Sequence, residues 1–382
     1  MWWVIVSTLL GPDVSGSEPL VARSHEQLIN TCADWRKTPA DALIAACTGV
    51  IAGDRGPTRD LAWAYDNRGL AYASKGQYDR AIQDYNVAIS LDPSDANAYN
   101  NRGDAFHRKR QLELAIEDYD RAILIDPKLA RAFNNRGNAY FDEGRTERAI
   151  EDYDEAVALD TNYAIAFNNR GFAYLDLGQT DRAINDFDRA IAIVPNLALA
   201  FKNRGIAYSN CGSFDRAKLD FDQAIALDPQ DTDAVVWRGI AQLVAGRFSE
   251  AAADFGEVVQ RDPSNAYGIL WLHLSRSGPK SDDLERLKLH VARLDGDQWP
   301  VPVLEYYLGQ ISLEEVYAAA LRDDAKPVSA RTCEADFYVG EFELMRGRNQ
   351  TAIPLLHDAL LSCPKHSREH LMAEAELKRL GN

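Results

Sequence analysis

The sequence predicts an all-α fold, an α-solenoid of repeated helix pairs, on three observations. A glycine recurs at a 34-residue step, as Gly69, Gly103, Gly137, Gly171, Gly205 and Gly239. An alanine keeps the same step, as Ala81, Ala115, Ala149, Ala183, Ala217 and Ala251. Around these positions the apolar residues fall at i, i+3, i+4 and i+7, which puts one stripe on each of two short helices per unit. Six repetitions of one spacing do not arise in an unrelated chain. One unit cannot bury its own stripe, so stability must come from stacking neighbours into a single array.

The stretch 164–197 shows how each element is specified. Phe167, Gly171 and Tyr174 share a face of the first helix, and Ala183, Phe187 and Ala190 share a face of the second. Gly171 and Ala183 are small, so the two helices can approach closely. Gly178 stands at the turn, where a positive φ is needed, and Pro195 ends the second helix because it cannot extend the hydrogen-bond ladder. These residues resemble the tetratricopeptide repeat (TPR), whose period is 34 residues. That resemblance implies a right-handed superhelix whose first helices line a concave groove, and a surface that holds other molecules.

Taken in order, residues 1–17 form a signal-like apolar leader (Met-Trp-Trp-Val-Ile-Val-Ser-Thr-Leu-Leu), too short to span a bilayer as a helix and lacking the usual positive start. Residues 17–23 read as extended. Residues 24–60 are predicted to be capping helices, with Cys47 in place of the repeat aromatic and Gly53 and Gly56 ending the segment. Six units follow over 62–265. The third has Thr161 where the others have proline, which predicts a looser exit. Residues 266–332 break the period: a nearly all-apolar helix at Tyr267–Ser275 ended by Gly278 and Pro279, an amphipathic helix at 282–294, an extended joint at Trp299–Pro302, a short helix at 303–308, a capping box from Ser312 and Glu315, and a loop beginning at Lys326–Pro327. Residues 333–382 read as a TPR-like hairpin with Pro354 inside its second helix, where a kink is expected, and a last capping helix.

Two recurrences inside the repeats need a physical reason. Arg precedes each repeat glycine (Arg68, Arg102, Arg136, Arg170, Arg204, Arg238), and Asp precedes each second-helix aromatic (Asp84, Asp118, Asp152, Asp186, Asp220, Asp254). A guanidinium on a packing face needs a partner. The prediction is a ladder of Arg–carboxylate bonds within or across units, against the alternative that each Arg snorkels to water. The first helix also carries Asn67, Asn101, Asn135, Asn169 and Asn203, with Asn100, Asn134 and Asn168 preceding three of them. Asn is a poor helix former. Either these amides bond to the adjacent helix, or they face the groove, where an amide both donates to and accepts from a peptide backbone. On the same side of the helical wheel lie Asp104, His107, Asn138, Phe141, Phe172, Leu175, Ile206 and Ile240. The candidate groove residues are therefore Asn101, Asn135, Asn138, Phe141, Asn169, Phe172, Leu175, Asn203 and Ile206, a set suited to an amphipathic or extended peptide; packing is the alternative for the apolar ones.

Formal net charge is −16. That argues against nucleic acid and against a grip on anionic lipid, and it serves solubility. Of five cysteines, Cys333 and Cys363 stand at ends of the last hairpin that should meet, and Cys32 and Cys47 can bridge the N-terminal cap likewise. Two such bridges imply an oxidising compartment, periplasmic or secreted; five buried thiols in a cytoplasmic protein is the alternative. Cys211 is left over as a packed thiol. No phosphate loop, nucleophile elbow or C-x-x-C motif is present, so no catalytic residue, cofactor or metal is predicted. One match, His366-Ser-Arg-Glu369-His370, has the H-x-x-E-H spacing of some zinc peptidases. On a capping helix near the chain end it reads instead as a solvated polar face.

The C-terminal third resembles the NlpI-type periplasmic adaptor family of bacteria at Leu270–Leu274, at Asp297, Gln298 and Trp299, at Tyr307–Gly309 and at Phe337–Glu341. The resemblance implies a non-enzymatic scaffold of the cell envelope, which brings peptidoglycan hydrolases to a processing protease. This chain departs from the family in lacking the lipid-anchored cysteine and in its longer repeat array. The first reading is thus an adaptor that holds a protein or peptide, such as an envelope hydrolase or protease, in the concave groove. The second is a scaffold acting by self-association, for instance as a homodimer.

Overall fold

The computed structural model describes residues 25–53, 59–275, 281–294, 298–322 and 327–381. The leader over 1–17, residues 17–23, Gly56, Gly278, Pro279, Asp297 and Lys326 lie outside them. The described residues form 21 α-helices and a 3-10 turn at Arg59–Leu61, in the consecutive helix pairs of an α-solenoid. Where one array was expected, the chain divides into two compact units, 1–135 and 136–382, which are described in turn.

The first unit holds α1 (His25–Ala33), α2 (Ala40–Gly53), α3 (Ala62–Ser74), α4 (Tyr78–Leu91), α5 (Ala96–Arg108), α6 (Leu112–Ile125) and the start of α7 (Ala130–Asp142). The sulfurs of Cys32 and Cys47 lie within bonding distance, with Cα atoms 4.9 Å apart, and both are buried with Leu43, Ala46 and Val50. In this unit the turn glycine appears as Gly76 at φ +70°, and its equivalent in the next repeat is Arg110 at φ +60°.

The second unit continues α7 and adds α8 (Thr146–Leu159), α9 (Ala164–Asp176), α10 (Thr180–Ile193), α11 (Ala198–Asn210), α12 (Phe214–Leu227), α13 (Thr232–Val244) and α14 (Phe248–Arg261). Thr161 does not loosen its exit: Asp160 N–H donates to the Ala156 carbonyl at 3.0 Å and Asn162 N–H to Asp160 at 2.9 Å. The proline-bearing exit at Asp228 makes the same two bonds, at 2.9 and 3.1 Å, because the Asp side chain, not the ring, ties the turn. Cys211 is exposed rather than packed, with its thiol toward the Tyr208 carbonyl.

Past the repeats, α15 (Ala266–Ser275) is buried on all sides from Gly268 onward. Its Trp271 stacks on Phe255 at 6.0 Å and meets Phe337 and Tyr338. Then come α16 (Ser281–Val291), α17 (Val301–Tyr307), α18 (Leu313–Ala320), α19 (Val328–Met345), α20 (Asn349–Ser362) and α21 (Arg368–Leu380). Two boundaries differ from expectation. Val301 and Pro302 form the first turn of α17, where a proline needs no N–H partner. Helix α19 starts five residues before Cys333, since the buried Arg331 anchors that extra turn on the Arg322 carbonyl. Pro354 stays inside α20. The Ser312–Glu315 capping box closes in both directions, and the sulfurs of Cys333 and Cys363 lie within bonding distance, Cα atoms 5.2 Å apart.

Two contacts set the spacing within every repeat. The first is glycine against ring: a Cβ on Gly171 would sit 2.8 Å from Phe187 Cε1. The second is a forked ion pair. Arg170 Nε and Nη2 each donate to Asp186 at 2.7 Å, while Nη1 reaches back to Asp154 on α8 at 2.7 Å. The same fork joins Arg68–Asp84, Arg102–Asp118, Arg136–Asp152, Arg204–Asp220 and Arg238–Asp254. Arg204 and Arg238 also reach back, to Asp188 and Asp222, as do Arg68 and Arg102, to Thr48 and Asn86. Burial opposes the Arg170 charge, and Asp186 and Asp154 more than offset it, holding its proton above the usual arginine range. Phe167 and Tyr174 flank the guanidinium at 5.4 and 5.9 Å.

Gly171→Ala is expected to cost about 1–3 kcal/mol by overpacking, and a second change, Phe187→Leu, should recover part of it in urea titrations. Arg170→Met should cost about 3–5 kcal/mol, because Asp186 is left buried and unpaired. In the same titrations the double change Arg170→Met/Asp186→Leu should be markedly less damaging than the single one.

Candidate functional site

The asparagines are mostly structural, in two local networks. In the first unit Asn67 donates to the Cys32 carbonyl at 3.0 Å. Asn101 donates to both oxygens of Asp66, at 3.0 and 3.2 Å, and Asn135 to Asn100 at 3.1 Å. Asn101 is thus buried against Asp66 in the first unit, apart from the cavity described below. Asp66 occupies the position that Asn holds in the next repeats. Burial raises its carboxyl to about 6 against the pull of Asn101.

In the second unit the amides form one chain. Asn203 donates to Asn168 at 3.0 Å, Asn168 to Asn169 at 3.3 Å, and Asn169 to Asn138 at 3.1 Å. The Tyr153 hydroxyl closes it on Asn138 at 2.8 Å. This chain is the polar floor of a concave cavity of about 440 Å³. Helices α7, α9, α11 and α13, the first helices of their repeats, supply its wall: Phe141 and Asp142, Phe172, Leu199 with Lys202 and Ile206, and Asp233 with Trp237. Phe141 and Phe172 meet at 5.7 Å. Of the predicted groove set, Asn138, Phe141, Asn169, Phe172, Asn203 and Ile206 come together here. Leu175 does not: it is fully buried in the core with Phe187 and Phe221, as is Ile240, because each lies on the helix face turned to the next helix.

The sequence reading did not assign Leu199, Lys202, Asp142, Asp233, Trp237 or His366 to the groove. Trp237 had a signal: it stands one period after Asn203, where the run of asparagines stops. Lys202 stands one period after Asn168 and is taken up by Asp231 at 2.9 Å and Asp233 at 3.2 Å.

His366 had no signal, since it arrives from 190 residues away. The segment 363–367, between α20 and α21, brings His366 to the cavity wall, and Arg368, the first residue of α21, lies in the adjoining pocket that shares Trp237 and His366. His366 packs on Phe172 with ring centroids 4.9 Å apart, and its Nδ1 lies 3.2 Å from Asp176. Through that bond, together with Thr146, the Asp176 carboxyl is held below the usual range despite partial burial. Two residues on, Arg368 pairs with Asp233 and lies over the Trp237 ring at 5.3 Å. The H-x-x-E-H match is not a solvated face. Glu369 is buried and accepts from the Tyr338 hydroxyl at 3.1 Å, and burial raises its carboxyl. His370 lies against Leu360 and Cys363, away from His366. The three therefore do not converge, and among the described residues no group of three or more His, Cys, Asp or Glu forms a metal site. No described helix is long and apolar enough to cross a membrane.

Models described as TPR repeat match residues 69–110, 103–144 and 137–178, and models described as tetratricopeptide repeat match 164–197 and 202–266. Among solved structures, PilW, titled a widely conserved type IV pilus biogenesis factor, is 20% identical, with 56% of this chain and 96% of that one covered and a TM-score of 0.51. PilF of Pseudomonas aeruginosa is 23% identical over 55% and 96%, with a TM-score of 0.49. MamA is 28% identical over 43% and 96%, with a TM-score of 0.38. The likeness to PilW is one of fold.

Asp66→Asn should stabilise the chain at pH 7 while keeping the acceptor for Asn101. With a folded value of about 6 against 3.8, the wild-type carboxyl contributes fully below 3.8, and that contribution is lost as pH rises through 6. The mutant's advantage should therefore be absent below pH 4 and grow to about 2–3 kcal/mol above pH 6, read by urea unfolding across pH.

Proposed function

We propose that this chain, a tetratricopeptide-repeat protein over residues 69–266, is a non-enzymatic adaptor that holds an extended protein or peptide segment in the cavity of its second unit. The observation that carries the reading is the cavity's composition. Phe141, Phe172, Leu199, Ile206 and Trp237 offer apolar anchorage around the bonded amides of Asn138, Asn169 and Asn203. The Asn138 oxygen is filled by Asn169 and Tyr153 and Asn203 spends one N–H on Asn168, so what the floor offers a peptide backbone is the NH₂ of Asn138 and the second N–H of Asn203, held rigid by those bonds. Repeat proteins generally act by holding other proteins on such concave surfaces.

The envelope is the compartment this reading favours. Cys32–Cys47 and Cys333–Cys363 have the Cα separations of disulfides, which persist outside the reducing cytoplasm. The NlpI-type residues around Leu270–Leu274 and Phe337–Glu341 lie in the core that closes the C-terminal end. Envelope hydrolases and proteases are the partners this resemblance suggests.

The test is a peptide array probed with the full chain. Bound sequences should lose at least about tenfold in affinity on Phe141→Ser/Phe172→Ser, with helical circular dichroism unchanged. Retention of the same peptides by that variant would remove the cavity as their site.

A further inference from the structure

The cavity is not empty of side chains, and what enters it has a definite chemistry. The rim segment reads Pro-Lys-His-Ser-Arg over 364–368. Two of its three basic side chains each meet an aromatic ring and an aspartate. The His366 ring takes Phe172 and Asp176, and the Arg368 guanidinium takes Trp237 and Asp233. Lys365 lies beside the α9–α10 turn at Gly178. The aromatic–aspartate pairs come from α9 and α13, while the strap residues come from the opposite end of the chain, so the groove presents two ready-made seats for basic side chains, one filled by an imidazole and one by a guanidinium. A cation over a ring with a carboxylate alongside is favourable twice over. The lining carboxylates are Asp142 and Asp233, and the one lysine among the lining residues, Lys202, is already bound to Asp231 and Asp233. The net charge of −16 adds a field of the same sign.

We propose that the groove selects an extended basic segment with two basic side chains two residues apart, and that His366–Arg368 is an internal stand-in for it, displaced when the partner binds. This rests on the groove reading above and adds the partner's chemistry and its regulation. The strap is suited to exchange: the His366 side chain and its aspartate are each about a quarter open to water, which makes their contact weak, and at Arg368 burial opposes the charge and the buried Nε has no partner, which offsets part of the hold of Asp233. An internal competitor lowers apparent affinity by the fraction of time it is seated.

The probe is a fluorescein-labelled peptide of residues 364–370, with a control in which its basic residues are glutamate, titrated against the full chain by anisotropy. The variant His366→Ala/Arg368→Ala should bind the basic probe about tenfold more tightly than wild type, as a strap seated nine-tenths of the time requires. Adding Asp176→Asn/Asp233→Asn should abolish that binding, and the control should not bind. Because the double strap change sits beside the α21 cap, His366→Ala alone, which spares Ser367 and Arg368, is measured in parallel and should gain about threefold. Equal binding by wild type and both strap variants, or equal binding of the acidic control, would overturn the proposal. If strap variants take up only non-basic array peptides, lost on Phe141→Ser/Phe172→Ser, the groove reading survives and this one fails. If no peptide binds any form, both fail.

Discussion

The arginines Arg68, Arg102, Arg170, Arg204 and Arg238, each preceding a repeat glycine, are gripped by two second helices, their own and the one before, and the register of the repeats within each unit follows from that grip. Arg170 spans from Asp186 to Asp154, and the planar fork tolerates little rotation. The glycine one residue on lets the second helix come in until a ring touches its backbone. Distance is thus set by a hard contact and angle by a directional one. Neither alone would do: apolar stripes of alanine slide, and a half-buried guanidinium without its carboxylate would have no reason to stay.

With the helices fixed in this way, the asparagine side of the first helices of the second unit is held at hydrogen-bond spacing from one repeat to the next. That is why the amides of Asn138, Asn168, Asn169 and Asn203 can be joined head to tail. The floor of the cavity is therefore built from the same recurrence as the core, and only its walls vary. Where the asparagine run stops, Trp237 begins, and the groove changes from amide to indole over one repeat.

How much of this was legible depends on the range over which each residue acts. The Arg–Asp forks act over sixteen positions within a fixed unit, so period and charge sufficed to anticipate them. The asparagines were ambiguous because an amide satisfies a neighbour and a ligand with the same atoms. Leu175 was misplaced because a helical wheel cannot distinguish the groove from the adjacent packing face, which lies a few tens of degrees away. Thr161 misled because the aspartate before it, not the proline, ties the turn. The strap lay beyond reach: nothing local in Lys365–Arg368 shows that it will meet Asp176 and Asp233, and a motif search drew attention to a zinc spacing that the fold pulls apart.

The strap has a mechanical meaning as well. A stack of repeats is an open chain, each unit answering only to its neighbours, and such a stack frays from a free end. Here residue 366 returns to α9 and residue 368 to α13, so the C-terminal part of the second unit closes on itself as a loop. While the strap is seated, bending or twisting between α9 and α13 is shared by all the repeats in that loop. The width of the groove is then a property of the closed circuit, and release of the strap hands it back to each pair of helices.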